Sequence, residues 1–349
     1  MQHSALTQTV TKMVLLTILI INLSACSKNL NVAQPEPQAT NDPLTQQATT
    51  LTNVSVRDPA MILVNDTYYL FGTGKGIKVW SSTDQVNWEP RPAVFNSTQP
   101  WSKAFIPGFD NDIWAPEITH FKGQYYLFYS ISKFGTNNSA IAYATNTTLD
   151  SKADNYKWVD HGLLIQSSGT SWNAIDPNFV LDENTLPRLL MGSFFSGIKI
   201  TAITGDNANL KAAIVSKPTL ANRDLVVNPY NAIEAPFVFK RNKYYYLFAS
   251  INNCCSGINS DYKTIVGRST TIDGPYIDKK GKQMASGGGE LLLEGNDKWH
   301  GAGGASVYNF KSQDKIVYFS YDSQGVERLR ISAIQWDKED WPFIVFTDN

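Results

Sequence analysis

Acidic residues recur along this chain in one local setting. Asp58 precedes Pro59, Asp176 precedes Pro177, and Glu234 lies one residue ahead of Ala235-Pro236, while Glu117 follows Pro116 slightly out of phase. Carboxylates brought together can divide labour, because burial and like-charge repulsion push their pKa values apart until one stays protonated while its neighbour is ionised. Cleavage of a glycosidic bond needs such a set: a protonated acid for the leaving oxygen and an ionised base for the attacking water. Any one of these acids could instead cap a turn or pair with an arginine. Three in nearly the same phase point to shared chemistry.

Other chemistries find little footing. The histidines are His3, His120, His161 and His300, and no spacing among His and Cys suits a zinc site. Gly287-Gly288-Gly289 lacks the strand and helix frame of a dinucleotide site, and there is no P-loop. No Gly-x-Ser-x-Gly elbow and no Cys and His nucleophile pair stands out. The formal net charge of -1 gives no basic patch for phosphates, so nucleic acid is excluded as a partner and an uncharged one is favoured. Nine Trp and sixteen Tyr suit sugar stacking, but aromatic residues equally favour strands.

For distant acids to meet, the elements carrying them must converge. Five segments share one grammar: a small or acidic residue with Pro or Gly, a short apolar strand, a polar turn, then an aromatic or apolar strand. They run from Asp58-Pro59 to Tyr68-Tyr69-Leu70-Phe71, from Ala115-Pro116 to Tyr125-Tyr126-Leu127-Phe128, and from Asp176-Pro177 to Leu189-Leu190-Met191. The last two run from Glu234-Ala235-Pro236 to Tyr244-Tyr245-Tyr246-Leu247-Phe248 and from Gly304-Ala305 to Ile316-Val317-Tyr318-Phe319. The turns Asn65-Asp66-Thr67, Lys122-Gly123 and Arg241-Asn242-Lys243 carry residues that tolerate hairpin geometry. Few windows sustain a helical period. Repeats spaced by roughly 55 to 70 residues predict an all-β, five-bladed β-propeller, in which the first strand of each blade lines the axis. A sandwich lacks such a repeat, and a β-helix repeats faster.

The N-terminus reads as export machinery. The apolar run Val14 to Ile21 is too short to span a bilayer but fits the core of a signal peptide. Leu23-Ser24-Ala25-Cys26 resembles the bacterial lipobox, which implies cleavage after residue 25 and lipidation of Cys26. Ser27, rather than Asp, favours the outer membrane in bacteria that sort lipoproteins by this position. Residues 26–52 are rich in Gln, Asn, Thr and Pro and predict a disordered tether, leaving 53–349 as the propeller. The cysteines of that domain, Cys254 and Cys255, are neighbours, so a bond between them would be vicinal and no disulfide framework is available.

The motifs Val56-Arg57-Asp58-Pro59, Ile113-Trp114-Ala115-Pro116-Glu117, Trp172-Asn173-Ala174-Ile175-Asp176-Pro177, Gly192-Ser193-Phe194-Phe195-Ser196-Gly197 and Ile233-Glu234-Ala235-Pro236-Phe237 extend the reading. With Cys254-Cys255-Ser256-Gly257 and the ending Trp336-Asp337-Lys338-Glu339-Asp340-Trp341-Pro342, they resemble glycoside hydrolase family 43, and within it the arabinan endo-1,5-α-L-arabinosidases. The resemblance implies a five-bladed propeller that cuts arabinan or arabino-oligosaccharides with inversion. Asp58 would be the general base, Glu234 the general acid, and Asp176 the group that orients the acid and keeps its pKa raised. Inversion calls for a gap of roughly 6.5 to 9.5 Å between acid and base, to admit a water. Sugar contacts would come from Trp114, Phe134, Gly135, Asn173, Ala174, Ile175, Ser193, Phe194 and Phe195, although Trp114 and Phe194 suit core packing equally. The cysteine pair would present a turn at the cleft or pack as small buried residues.

Two departures from the family pattern carry consequences. Arg57 stands where a His is common, and a fixed cation there would lower the pKa of the base. Gly301-Ala302-Gly303-Gly304 replaces Gly-Pro-Gly-His, so Gly304 stands where a metal ligand is expected. A structural calcium in the central channel would then be weak or replaced by water, with His300 the only nearby substitute, and no cofactor is required. A monomer is expected, touching membrane only through its lipid. Rival readings are an exo-acting arabinofuranosidase or β-xylosidase on the same scaffold, and a non-catalytic glycan-binding surface lipoprotein.

Overall fold

Asn65 and Asp66 adopt φ values of 46° and 63°, and Lys122 and Gly123 values of 48° and 79°, which closes two-residue hairpins between facing pairs Val64 and Thr67, and Phe121 and Gln124. Lys311-Ser312 does the same between Phe310 and Gln313. Mirror-image turns of this kind match the right-handed twist of the strands they join. In the third unit the turn is longer, and the Asp182 carboxylate accepts the backbone N–H groups of Asn184 and Leu186.

The computed structural model describes residues 50–215, 219–223 and 232–346. The apolar run, Cys26 and the tether up to residue 49 lie outside the described residues. Each hairpin grows into a four-stranded antiparallel blade, giving five blades as the sequence predicts. Blade 1 holds Ala60–Val64, Thr67–Gly72, Lys78–Ser82 and Glu89–Arg91, from the axis outward. Blade 2 holds Asp112–Phe121, Gln124–Ile131, Ala140–Asn146 and Val159–Gln166, with the short Gly74–Lys75 paired on its inner edge. Blade 3 is Ile175–Leu181, Pro187–Gly192, Lys199–Thr204 and Lys211–Ala212, and blade 4 is Ile233–Arg241, Tyr244–Ile251, Lys263–Ser269 and Glu290–Leu293.

Blade 5 takes His300–Phe310, Gln313–Tyr321 and Glu327–Ala333 from the end of the chain, and its outermost strand, Thr50–Leu51, from the beginning. Thr50 faces Ile331 and Leu51 faces Arg330, so both ends of the domain are tied into one sheet. The composition-based boundary at residue 53 therefore moves back to Thr50, because pairing to an existing sheet edge satisfies backbone groups that composition cannot reveal. No described helix is long and apolar enough to cross a membrane.

Apolar packing closes the ring. Each seam between adjacent blades holds its own cluster: Phe71 with Leu127, Tyr126 with Leu189, Leu190 with Leu247, Tyr246 with Ile316, and Leu70 with Val317. The second strand of every blade is buried on both faces, which is why its sequence runs apolar, as Tyr-Tyr-Leu-Phe in blades 1, 2 and 4, rather than alternating. Each fully buried Leu or Phe there contributes about 1.5–3 kcal/mol.

Candidate active site

The entry to each inner strand carries a kink. Asp58, Ala115, Asp176, Ala235 and Gly304, one per blade, have φ of 50°, 41°, 51°, 48° and 56°. Four of the five are non-glycine residues in a left-handed conformation, a strain of about 1–3 kcal/mol each that the surroundings must hold. Hydroxyls at the ends of the second strands do much of that work. The Ala115 N–H donates to Thr73 Oγ1 (2.9 Å), the Asp176 N–H to Ser130 Oγ (3.0 Å) and the Gly304 N–H to Ser250 Oγ (3.0 Å), each joining one blade to the next. Between blades 3 and 4 the acceptor is the Asp176 carboxylate itself, whose Oδ2 takes the Ala235 N–H at 2.9 Å. The kinks refine the phase read from sequence. Asp58 and Asp176 occupy the kink, Glu234 precedes it by one residue and Glu117 follows it by two.

These offsets bring Asp58, Asp176 and Glu234 to the floor of one cleft of about 560 Å³. All three are half-buried. Burial raises the Asp58 pKa, against the opposing pull of Arg57 and a 2.5 Å hydrogen bond from Thr73 Oγ1 to Oδ2. Arg57 thus lowers this pKa, as its charge predicts, but desolvation of the carboxylate outweighs it. Part of the guanidinium is directed elsewhere, with Nε 3.7 Å from Glu327 and Nη1 donating to Cys255 Sγ at 3.5 Å. Glu234 is pushed up to about 7, chiefly by burial and further by the charge of Asp58, while a 2.9 Å hydrogen bond from the Tyr262 hydroxyl to Oε1 pulls it down. Asp176 rises well above the usual carboxylate range, through burial and then the charges of Glu234 and Asp58. Its grip on the acid runs through the backbone of Ala235, the residue after Glu234.

Of the sugar-contact candidates, Trp114, Phe134, Gly135, Asn173, Ile175, Phe194 and Phe195 line the cleft. Trp114 is held by its indole N–H donating to Asp112 at 3.2 Å, and Phe134 stands 80% exposed on its loop, free to meet a ligand. Ala174 and Ser193 are not part of the lining. Both are fully buried, and Ser193 Oγ accepts the Ser196 N–H at 2.9 Å, so they shape their loops from beneath. Sequence reading missed Thr73 and Tyr262. Thr73 was findable, because Ser130 and Ser250 recur at the corresponding place after an aromatic strand. Tyr262 lies in an irregular loop end with no repeat signal.

Glu117 does not join the cleft. It lines a narrow axial void of about 40 Å³ below it, together with Asp58, Asp176 and the prolines of the inner strands. Burial lifts its pKa to about 8, and its Oε1 accepts from Asn178 Nδ2 at 3.0 Å while Asn178 Oδ1 accepts the Val238 N–H at 2.9 Å, linking blades 2, 3 and 4. This channel is where the resemblance would place a metal. Among the described residues no group of three His, Cys, Asp or Glu is arranged to hold one, and His300 lines neither cleft nor void. A side chain at Gly304 would place its Cβ 2.7 Å from Phe319 and 2.9 Å from Asp58 Oδ1, so the local packing is built for glycine.

Comparison with known proteins agrees with this architecture. A relative named extracellular exo-alpha-(1->5)-L-arabinofuranosidase, from Cellvibrio japonicus, is 40% identical over 83% of this chain and 86% of its own length. Another, named extracellular endo-alpha-(1->5)-L-arabinanase 1, from Bacillus subtilis, is 39% identical over 83% and 88%. The solved Cellvibrio cellulosa alpha-L-arabinanase complexed with arabinohexaose superposes with a TM-score of 0.78 at 38% identity, covering 84% of this chain and 96% of that one. The family model described as glycosyl hydrolases family 43 matches residues 49–342, the span from the ring-closing strand to the final hairpin, and the chain belongs to that family.

Proposed function

We propose that this protein hydrolyses α-1,5-arabinofuranosidic linkages of arabinan with inversion, as an endo-acting enzyme. The observation that carries the reading is the meeting of Asp58, Asp176 and Glu234, from three separate blades, in one aromatic-lined cleft. With a pKa of about 7, Glu234 is protonated in mildly acidic solution and gives its proton to the glycosidic oxygen as the carbon–oxygen bond breaks. Asp58, ionised, takes a proton from the water that attacks the anomeric carbon from the opposite face. The cycle leaves Glu234 ionised and Asp58 protonated, and exchange with solvent resets both. Asp176 is a positioning residue that fixes the backbone beside the acid through the Ala235 N–H. The substrate class is supported by the arabinan-directed names of the relatives and by a cleft whose walls are Trp114, Phe134, Phe194 and Phe195.

We also propose export through the N-terminal apolar run and anchoring through a lipid on Cys26, consistent with relatives named extracellular. The protein then acts as a monomer on polysaccharide outside the cytoplasm.

A second reading, exo action, is favoured by the name of the Cellvibrio japonicus relative. Incubation with linear arabinan separates the possibilities by product size. A ladder of oligosaccharides supports endo cleavage, one short product alone supports exo action, and no product supports a binding protein. Glu234→Ala and Asp58→Asn should each lower turnover by about 10²–10⁴-fold, the usual scale for an acid or base. Retention of most of the rate by either variant would overturn its assigned role.

A further inference from the structure

Blade 5 contributes none of the residues that line the cleft. Its inner strand enters the axis as Gly301-Ala302-Gly303-Gly304, and its sector between the acid of blade 4 and the base of blade 1 is covered by the blade 4 loop at residues 252–263. The glycines make room for that loop. A Cβ on Gly303 would meet the Tyr262 ring at 2.2 Å, and one on Gly301 would meet Ser260 Oγ at 2.5 Å. The loop is fixed by hydrogen bonds from the Asn253 N–H to Asp261 (3.0 Å) and from Ser260 Oγ to the Asn253 carbonyl (2.8 Å).

At its crest Cys254 and Cys255 form a vicinal disulfide. Cys254 packs on the buried cluster of Tyr262, Phe319 and Tyr321, so the pair rests on the same tyrosine that holds the acid. Cys255 is exposed, lines the cleft, and is kept at a φ of 65° with its N–H donating to the Tyr321 hydroxyl at 3.0 Å. The exposed member of the pair is thus a strained, largely apolar group on the cleft wall, touched there by Arg57 Nη1 at 3.5 Å. Strain of this kind gathers at ligand clamps.

We propose that the Cys254–Cys255 disulfide is a substrate-contacting wall of the active site, taking the carbon-rich face of an arabinofuranose ring on the blade 5 side of the scissile bond. This rests on the arabinan reading above. A cystine ring of adjacent residues is compact, polarizable and without hydrogen-bond demands, so it meets C–H groups while polar neighbours serve the hydroxyls. Those neighbours are present on the same wall as Arg57, Asn253 and Ser256. Phe134, Phe194 and Phe195 belong to blades 2 and 3 and supply apolar surface from other sectors of the cleft.

The test is the kinetics of the purified full chain on linear arabinan, compared with the variant carrying Cys254→Ser and Cys255→Ser. Loss of one small apolar contact predicts a KM about fourfold higher with kcat within about twofold. A folded variant with unchanged KM overturns the proposal, and so does one whose kcat alone falls, since that is what loosening Tyr262 without a sugar contact would give. Should the variant fail to fold, wild type is treated with dithiothreitol, which passes two electrons and two protons to the cystine and becomes a cyclic disulfide. KM rising with the measured thiol content supports the proposal, and unchanged KM in the fully reduced protein refutes it. If wild type does not cleave arabinan at all, the functional reading falls and takes this inference with it; cleavage indifferent to the disulfide removes this inference alone.

Discussion

Replacing Tyr262 by Phe isolates one interaction at the acid. The Tyr262 hydroxyl donates to Glu234 Oε1 at 2.9 Å, and this bond favours the ionised carboxylate against the burial that raises its pKa to about 7. The ring itself packs against Phe319 and into the space left by Gly303, so Phe preserves the packing and removes only the hydroxyl. A hydrogen bond to a charged group is worth about 1.5–3 kcal/mol, or about one to two pKa units. The sign is upward, because losing a donor to the anion leaves the neutral acid favoured. At pH 8 the wild-type acid, with its pKa of about 7, is about one-tenth protonated. A variant one unit higher would be about one-half protonated. The basic limb of kcat/KM against pH, measured by reducing-sugar release from arabinan, should therefore move up by at least about one unit. Activity at pH 8, relative to the plateau of each enzyme, should rise about fivefold. A limb that stays in place, or moves down, would refute both the identity of the acid and the role of Tyr262.

Three further outcomes follow from the same groups. Arg57→Gln removes the charge that opposes burial at Asp58, so the acidic limb of the profile should move to higher pH; a shift to lower pH would contradict the pairing. Glu117 has a folded-state pKa raised from 4.5 to about 8, so the native state holds its proton longer than the unfolded chain and stability falls as pH rises between those values, by about 5 kcal/mol at most. Glu117→Gln should flatten that fall, and denaturant melts of both proteins at pH 5 and about pH 9 would expose a missing difference. Chelation should leave arabinan turnover unchanged, because Gly304 and its packing supply no axial ligand; a loss of rate restored by calcium would show otherwise.

The blades were legible because their grammar is local. Two-residue turns such as Asn65-Asp66 need left-handed backbone, and doubly buried strands such as Tyr125 to Phe128 must be apolar on both faces, so five hairpins could be read off the chain. The family motifs then pointed to Asp58, Asp176 and Glu234, and the fold brings these three together. Other features depended on approach through space. Glu117 shares its motif style with the cleft acids, yet two residues beyond the kink it points into the axial void, a difference fixed by strand geometry. Ala174 and Ser193 sit within cleft-forming motifs but are turned inward, while Tyr262 reaches Glu234 from a loop without any repeat.

The net effect of Arg57 illustrates the same division. Its sign follows from charge and sequence adjacency, whereas its defeat by desolvation depends on how much protein surrounds Asp58. Residue type and spacing therefore determined which groups could do chemistry and which strands would carry them. The closing of the ring decided which groups face one another, how dry each becomes and which blade must shed its side chains to make room, because those properties belong to neighbours distant along the chain.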